Sequence, residues 1–441
     1  MADTPLSRPP ATQTSDGRLN SWKEISAYLG KDVRTAIRYA KDRGMPVHRV
    51  PGGKRGAVYA YAHELDAWLS NGAAKRQAVE PESARRAPWR WLIAAAGVAA
   101  LAVTVLAARH WIIPENPVSV TLAASKLTAY GEDRRPLWSH QFPQPVREFS
   151  GDELARRVRL VDLDGDGRPE ILAATRLTES LWRDQLWCFS SSGKLLWQYS
   201  PEMTLRSASR QYTGPWHFKD VVVGGSGEEK FTWVAVGHHT WWPSFIVRLE
   251  AAGRAVIQFE HSGSLFVLEH HQTPEGGYLL AGGLNNEYDS AILAVLKDDQ
   301  APAASPQPPG SRFRSEQPPA GGPYRYFLLP PTELHALVSP APYNQTKVIH
   351  SASDGVQVWT DEENRGPLTL TAVYEFSAGL DPKGFTLGSG YRKVHLRLER
   401  EGKLHHTIEQ CPERRGPKEL RRWTPIEGWS DILVPAATRE R

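Results

Sequence analysis

Leu186–Trp197 reads LWCFSSSGKLLW: a short apolar strand, a serine-rich turn closed by Gly193, and a second strand ending in Trp. Strand formers on either side of a glycine turn make a β-hairpin. The outline recurs. Ala129-Tyr130 and Leu137-Trp138 repeat it 59 residues earlier, with Arg134 in the glycine's place. Val247-Arg248-Leu249, Gly253 and Ile257 repeat it 60 residues later. Further copies are expected at Ile292 to Asp299, at Ile349 to Trp359 around Gly355, and at Leu396 to Leu404 around Gly402.

Hairpins at spacings near 45–60 residues fit the period of a β-propeller. The sequence therefore predicts an all-β propeller over 114–441, with six or seven blades, some degenerate. Residues 300–323, rich in Pro and Gly, are expected as an exposed insertion.

Just before the first-quoted hairpin stands Val161-Asp162-Leu163-Asp164-Gly165-Asp166-Gly167-Arg168-Pro169-Glu170. Carboxylates at alternating positions around glycines form an oxygen cage suited to a hard cation, Ca²⁺ before Mg²⁺. It is not an EF-hand, because Ala173 stands at the twelfth position where a bidentate Glu is needed. The segment resembles the FG-GAP repeat of integrin-type propellers. That resemblance implies one structural Ca²⁺ held by the side chains of Asp162, Asp164, Asp166 and Glu170 and by the Arg168 carbonyl. The equivalent stretches at Asp220 and Glu269 read as decayed copies.

Trp91–Ala108, WLIAAAGVAALAVTVLAA, holds no charged residue, and Trp111-Ile112-Ile113 extends it. A run of this length reads as a transmembrane helix over 91–113. Lys75, Arg76, Arg85, Arg86 and Arg90 precede the uncharged run 91–108 and Arg109 is the only close basic residue after it, so the positive-inside rule places the N-terminus in the cytoplasm. The expected location is a bacterial inner membrane, single-pass, with the C-terminal domain periplasmic or extracellular. Ala95 with Ala99 and Ala96 with Ala100 are small pairs that would suit a homodimer seam in the bilayer.

The flank charges sharpen the division. Residues 1–90 hold 16 Lys and Arg against 9 Asp and Glu, while the other 351 residues hold 37 against 40. Within the basic part, 1–19 reads as a disordered tail and 71–90 as a basic juxtamembrane linker. Between them, over 20–70, Ser21 and Glu24 form a capping box for a helix from Trp22, and Asp32 caps a second from Val33 to Arg43. Val33, Ala36, Ile37 and Ala40 are expected as its apolar stripe, opposite Arg34, Thr35, Arg38 and Lys41. A hairpin tipped by Lys54 and Arg55 and a helix from His63 to Leu69 complete the layout of an α+β winged helix-turn-helix.

Residues 21–69 resemble the DNA-binding domains of the MerR and excisionase group. The resemblance implies Arg34, Thr35 and Arg38 at bases or phosphates of double-stranded DNA, with Lys41, Lys54 and Arg55 on phosphates. Arg pairs bidentately with guanine and both cations neutralise phosphate. No long coiled coil follows, unlike MerR regulators. The chain carries no G-x-S-x-G, H-E-x-x-H or P-loop, so no enzyme is expected. Two cysteines, Cys188 and Cys411, exclude a disulfide-stapled scaffold. The expected function is a membrane-anchored one-component transcriptional regulator, whose outer propeller senses or docks an unknown ligand or protein. The alternative is an envelope interaction or adhesion module whose N-terminal domain recruits a protein or is vestigial.

Overall fold

The computed structural model describes residues 17–50, 57–77, 115–178, 183–207, 210–225, 230–240, 242–362 and 369–436. The chain divides into two compact units, 1–107 and 108–441. The described residues are mostly β, with seven helices among them.

In the smaller unit, helices Trp22–Tyr28, Val33–Asp42 and Ala62–Gln77 accompany a three-stranded sheet in the order Arg18–Leu19, Val58–Tyr61, His48–Arg49. Ser21 Oγ accepts from Glu24 N–H and Asp32 Oδ1 accepts from Thr35 N–H, which satisfies free donors at two helix starts. Ile25, Ala36, Met45, Val58, Ala60 and Leu65 form the core, with Trp22, Tyr39, Ala40 and Trp68 packed around it.

The larger unit is a succession of sheets, antiparallel but for one short parallel edge strand, Ala303–Ala304. Three strands over 119–141 come first, then four in the order 195–199, 184–189, 170–176, 158–161. A two-stranded ribbon over 205–212 precedes five strands built on 216–261. The six-stranded sheet joins 263–297 and 325–329 to the distant hairpin 418–434, and a four-stranded sheet spans 345–387.

Adjacent sheets are tied by a repeated contact. Trp138 lies over Gly193 and donates its indole N–H to the Ser191 carbonyl at 2.8 Å. Trp197 lies over Gly253 and donates to the Ala251 carbonyl, also at 2.8 Å. Both glycines have φ near +85°, and a Cβ there would meet the indole at 2.6 and 2.5 Å. Glycine is therefore needed twice over, for the turn and for the close approach. At the first hairpin Arg134 adopts φ +62° in the glycine's place. Buried carboxylates add a second tie. Asp184 takes a bidentate pair from Arg176 at 2.7 and 2.9 Å and the Phe218 N–H of the next sheet at 2.6 Å. Asp220 accepts the Leu268 N–H of the sheet after that, at 2.9 Å.

The composite fold class expected from the sequence is corrected. The longest described helix, Ala62–Gln77, has 16 residues and includes Glu64, Asp66, Lys75 and Arg76. A span needs about 20 apolar residues, and no described helix is long and apolar enough to cross a membrane. The expected span 91–113, with its small-residue pairs, lies outside the described residues. The expectation of a single-pass inner-membrane protein with a periplasmic or extracellular domain is withdrawn on that finding. The winged helix-turn-helix gives way to an α+β unit in which Arg18–Leu19, expected as tail, is an edge strand and the last helix runs into the expected linker. Six or seven like blades give way to sheets of two to six strands. The hairpin expected at Leu396–Leu404 is instead the end of helix Ser389–Arg400. Tyr391, Val394, His395 and Leu398 bury its inner face at helical spacing, a stripe that the strand reading overlooked. Within 300–323, Ala303–Ala304 pairs in parallel with Phe259–Glu260, and Ala303 is buried.

Two consequences are measurable. Gly253→Ala drives a methyl into Trp197 at a positive φ, and costs about 1–3 kcal/mol by urea denaturation. Trp197→Phe removes the indole donor and costs about 1 kcal/mol or more. The second concerns His261, fully buried beside the Tyr326 hydroxyl at 3.0 Å. Burial pushes its pKa down from 6.5 to about 4. Between those values the unfolded chain holds a proton that the folded chain lacks. Stability therefore falls as pH drops from about 6.5 to about 4, by at most about 1.4 kcal/mol per unit for this group. His261→Gln flattens that limb in denaturation midpoints measured across pH; an unchanged slope contradicts the assignment.

Candidate functional site

The helix Val33–Asp42 shows two faces. Ala36 is buried and Tyr39 and Ala40 are partly buried, while Val33, Arg34, Ile37, Arg38 and Lys41 are exposed. The expected apolar stripe is thus misdrawn. Packing follows 36, 39 and 40, and Val33 and Ile37 stand in solvent beside the arginines, 40% and 43% exposed. Trp68 fixes the helix end by donating to the Arg43 carbonyl at 2.9 Å and packing on Tyr39. Arg34, Arg38 and Lys41 share the exposed face, and among the described residues none is held in an ion pair. Thr35 belongs to the cap: its hydroxyl donates to Asp32 Oδ2 at 2.6 Å. Lys54 and Arg55 lie outside the described residues.

The acidic loop connects strands Val158–Val161 and Glu170–Arg176. Gly165 and Gly167 take φ of +78° and +81°, which curls the chain so that the carboxylates of Asp162, Asp164 and Asp166 converge, with one oxygen of each within 4.8 Å of the others. The loop's own N–H groups hold them: Gly165 and Gly167 donate to Asp162 at 2.8 and 3.1 Å, Asp166 to Asp164 at 3.1 Å, and Arg168 to Asp166 at 2.7 Å. Glu170 does not join the group. Its buried carboxylate accepts the Leu163 N–H at 2.8 Å and braces the loop from inside. Burial pushes the Glu170 pKa up, the Leu163 N–H opposes this, and the three aspartates push it further up. Three carboxylates thus fit a hard cation, and Glu170 serves as the loop's anchor.

The regions read as decayed copies of this loop have another role. Asp220 lies in strand Trp216–Gly224 and ties two sheets, and Glu269 lies in strand Gly263–Thr273. The adjacent His270 and His271 meet different partners on opposite faces of their strand. His270 meets Asp298 at 3.0 Å, while His271 meets Ser351 Oγ and the Ala378 carbonyl, both at 2.8 Å. Cys188 and Cys411 are free, buried thiols in different apolar clusters.

Two features escaped the sequence. Glu333, His395, His406 and Cys411 bring their donor atoms within 4.8 Å of one another. The H-x₁₀-H-x₄-C spacing over 395–411 is the signal that could have found three of them. The second is a cleft of about 780 Å³ between segment 304–322 and the hairpin 418–434, walled by Tyr288, Phe313, Trp423 and Trp429. Arg421 lies over the Trp429 ring at 4.7 Å, and Glu260, its pKa raised by burial, sits in the lining.

No protein-family profile and no curated protein matches the chain. Among solved structures, BamB from Moraxella catarrhalis is similar at 10% identity over 59% of this chain and 67% of that one, with TM-score 0.27. A functionally unknown protein from Desulfotomaculum acetoxidans is similar at 10% identity over 73% and 89%, with TM-score 0.30. A variant of Synechocystis apocarotenoid oxygenase is similar at 11% identity over 59% and 66%, with TM-score 0.26. Likenesses this slight assign neither a function nor a fold.

Proposed function

We propose that the chain is a DNA-binding regulator. Its smaller unit meets double-stranded DNA, and its β unit receives a ligand or protein partner. One observation carries the reading: Arg34, Arg38 and Lys41, with no ion-pair partner among the described residues, stand along one exposed face of a helix whose ends are fixed by Asp32 and Trp68. Fixed cations on a helix suit a major groove, with Lys41 on phosphate and the arginines able to reach guanine edges. Val33 and Ile37 beside them suit thymine methyl groups. The local likeness of 21–69 to MerR and excisionase domains supports the same partner. The aromatic cleft in the β unit is of the size small-molecule sites take.

A second reading, an interaction module that recruits a protein, is favoured by the same exposed Val33 and Ile37. Fluorescence anisotropy of the full chain on random-sequence duplex DNA separates the two. Under the first reading log K falls linearly with log salt, and Arg34→Ala and Arg38→Ala each weaken binding about tenfold, which is about 1.4 kcal/mol. An absence of binding at low salt, or variants equal to wild type, leaves the second reading.

Within the β unit we take Asp162, Asp164 and Asp166 as side-chain ligands of one structural Ca²⁺. The support is the convergence of three carboxylates on a glycine-curled loop. Bound Ca²⁺ would neutralise their mutual repulsion and stiffen the turn. Calorimetric titration of the chelator-treated full chain should give one site, and Asp164→Asn should weaken it at least tenfold. No heat and no shift in Tm with CaCl₂ would remove the ion from the account.

A further inference from the structure

The lobe that replaces the expected last hairpin carries a polar cluster in an apolar setting. Helix Ser389–Arg400 packs Tyr391, Val394 and Leu398 with Leu334, Val338, Leu370 and Ile408. His395 lies on the same buried face. His406 follows in the loop, and Cys411 precedes the helical turn Pro412–Arg415. Glu333 comes from a separate segment, just before the turn His335–Val338. His395 and Cys411 are fully buried, whereas the side chains of Glu333 and His406 are 26% and 24% exposed.

We propose that Glu333 Oε1, His395 Nε2, His406 Nε2 and Cys411 Sγ form a four-coordinate Zn²⁺ site that staples this lobe. The donor atoms lie at 3.2 Å between the histidine nitrogens, 3.2 Å from His406 Nε2 to Glu333 Oε1, and 3.1 Å from Cys411 Sγ to Glu333 Oε1. A tetrahedral zinc with ligands at their usual lengths has edges of about 3.3–3.8 Å, so these three edges need open by only a few tenths of an ångström, and the remaining donor pairs lie within 4.8 Å. The partial exposure of Glu333 and His406 leaves it a way in.

Proton accounting favours a cation over a hydrogen-bond network. His406 Nε2 faces both His395 Nε2 and Glu333 Oε1, yet it has room for only one proton. Glu333 Oε1 is also met by the Tyr391 hydroxyl at 2.8 Å and the Cys411 thiol. A metal ion takes a lone pair from each of the four donors at once. The surroundings then serve as outer partners. The Tyr391 hydroxyl, 3.3 Å from Cys411 Sγ, can donate to thiolate or carboxylate.

The donor chemistry selects the ion. A thiolate with two imidazoles disfavours Ca²⁺ and Mg²⁺ and suits Zn²⁺ in tetrahedral geometry. Four protein ligands leave no open position, which marks a structural site. Binding requires the Cys411 proton to leave to solvent as the Zn–S bond forms, with no change in oxidation state.

The test uses the full chain, stripped with a chelator and titrated with Zn²⁺ and, as a spectroscopic probe, with Co²⁺. One Zn²⁺ per chain, a raised Tm, and the visible bands of four-coordinate cobalt with a thiolate charge-transfer band are expected. Cys411→Ser should abolish the charge-transfer band, and His395→Gln should weaken Zn²⁺ binding at least tenfold. Glu333→Gln keeps the shape of the side chain and should weaken binding as well, which covers the case of a His395 variant that fails to fold. Asp164→Asn, in the acidic loop, should leave the cobalt spectrum unchanged. Wild-type protein without stoichiometric Zn²⁺ and without cobalt bands overturns the site, as does binding that survives both Cys411→Ser and Glu333→Gln.

Discussion

The arrangement of the β unit depends on one contact made repeatedly: an indole laid over a glycine turn in the next sheet. A hairpin alone is marginal in water, and stacked sheets need a fixed register to bury one another's faces. Trp138 over Gly193 and Trp197 over Gly253 supply both area and direction, because the indole N–H must reach one particular carbonyl. A third member survives in altered form. Gln258, one residue after the position where a Trp would stand, donates its amide to the Gln300 carbonyl of the following turn. The contacts run from the 119–141 sheet to the 158–199 sheet, from that to the sheet on 216–261, and from there to the turn after Ser290–Lys297.

Buried carboxylates follow the same direction along the chain. Asp184 reaches the backbone of Phe218, and Asp220 that of Leu268. The cost of burying these acids is offset by Arg176, the cross-strand partner of Asp184 in the same sheet, and by Arg156 of helix Gly151–Arg157, which pairs with Asp220. A carboxylate that accepts a backbone N–H across a sheet boundary permits few alternative alignments, and this specificity complements the non-directional apolar packing.

What could be read from the sequence divides along the same lines. The hairpins around Gly193 and Gly253 were legible because turn, strand and Trp are contiguous, and the acidic loop because three aspartates and two glycines fall within six residues. Asp220 was misread, since an isolated acid near glycines looks the same in a loop as in a strand. Helix Ser389–Arg400 was missed because Val, Leu, Tyr and a following Gly402 also suit a hairpin; only the buried positions 391, 394, 395 and 398 distinguish it. In the smaller unit, the arginines of helix Val33–Asp42 were placed on the exposed side correctly, but Val33 and Ile37 were assigned to a core that Tyr39 fills instead.

The two polar clusters of the β unit show why legibility differs. The acidic loop is local, and its carboxylates are oriented by N–H groups two to five residues away. The Glu333 cluster is assembled by tertiary structure, from residues 78 positions apart at its extremes. It needs the helix stripe to bury His395, the loop to return His406, and the short turn to present Cys411. Local clusters can order themselves around an ion whatever the rest of the chain does. A cluster assembled from distant segments closes a long loop between Glu333 and Cys411, and a bond there removes far more freedom from the unfolded chain. The lobe has a small apolar core of its own, so this is where a staple would contribute most to holding the fold.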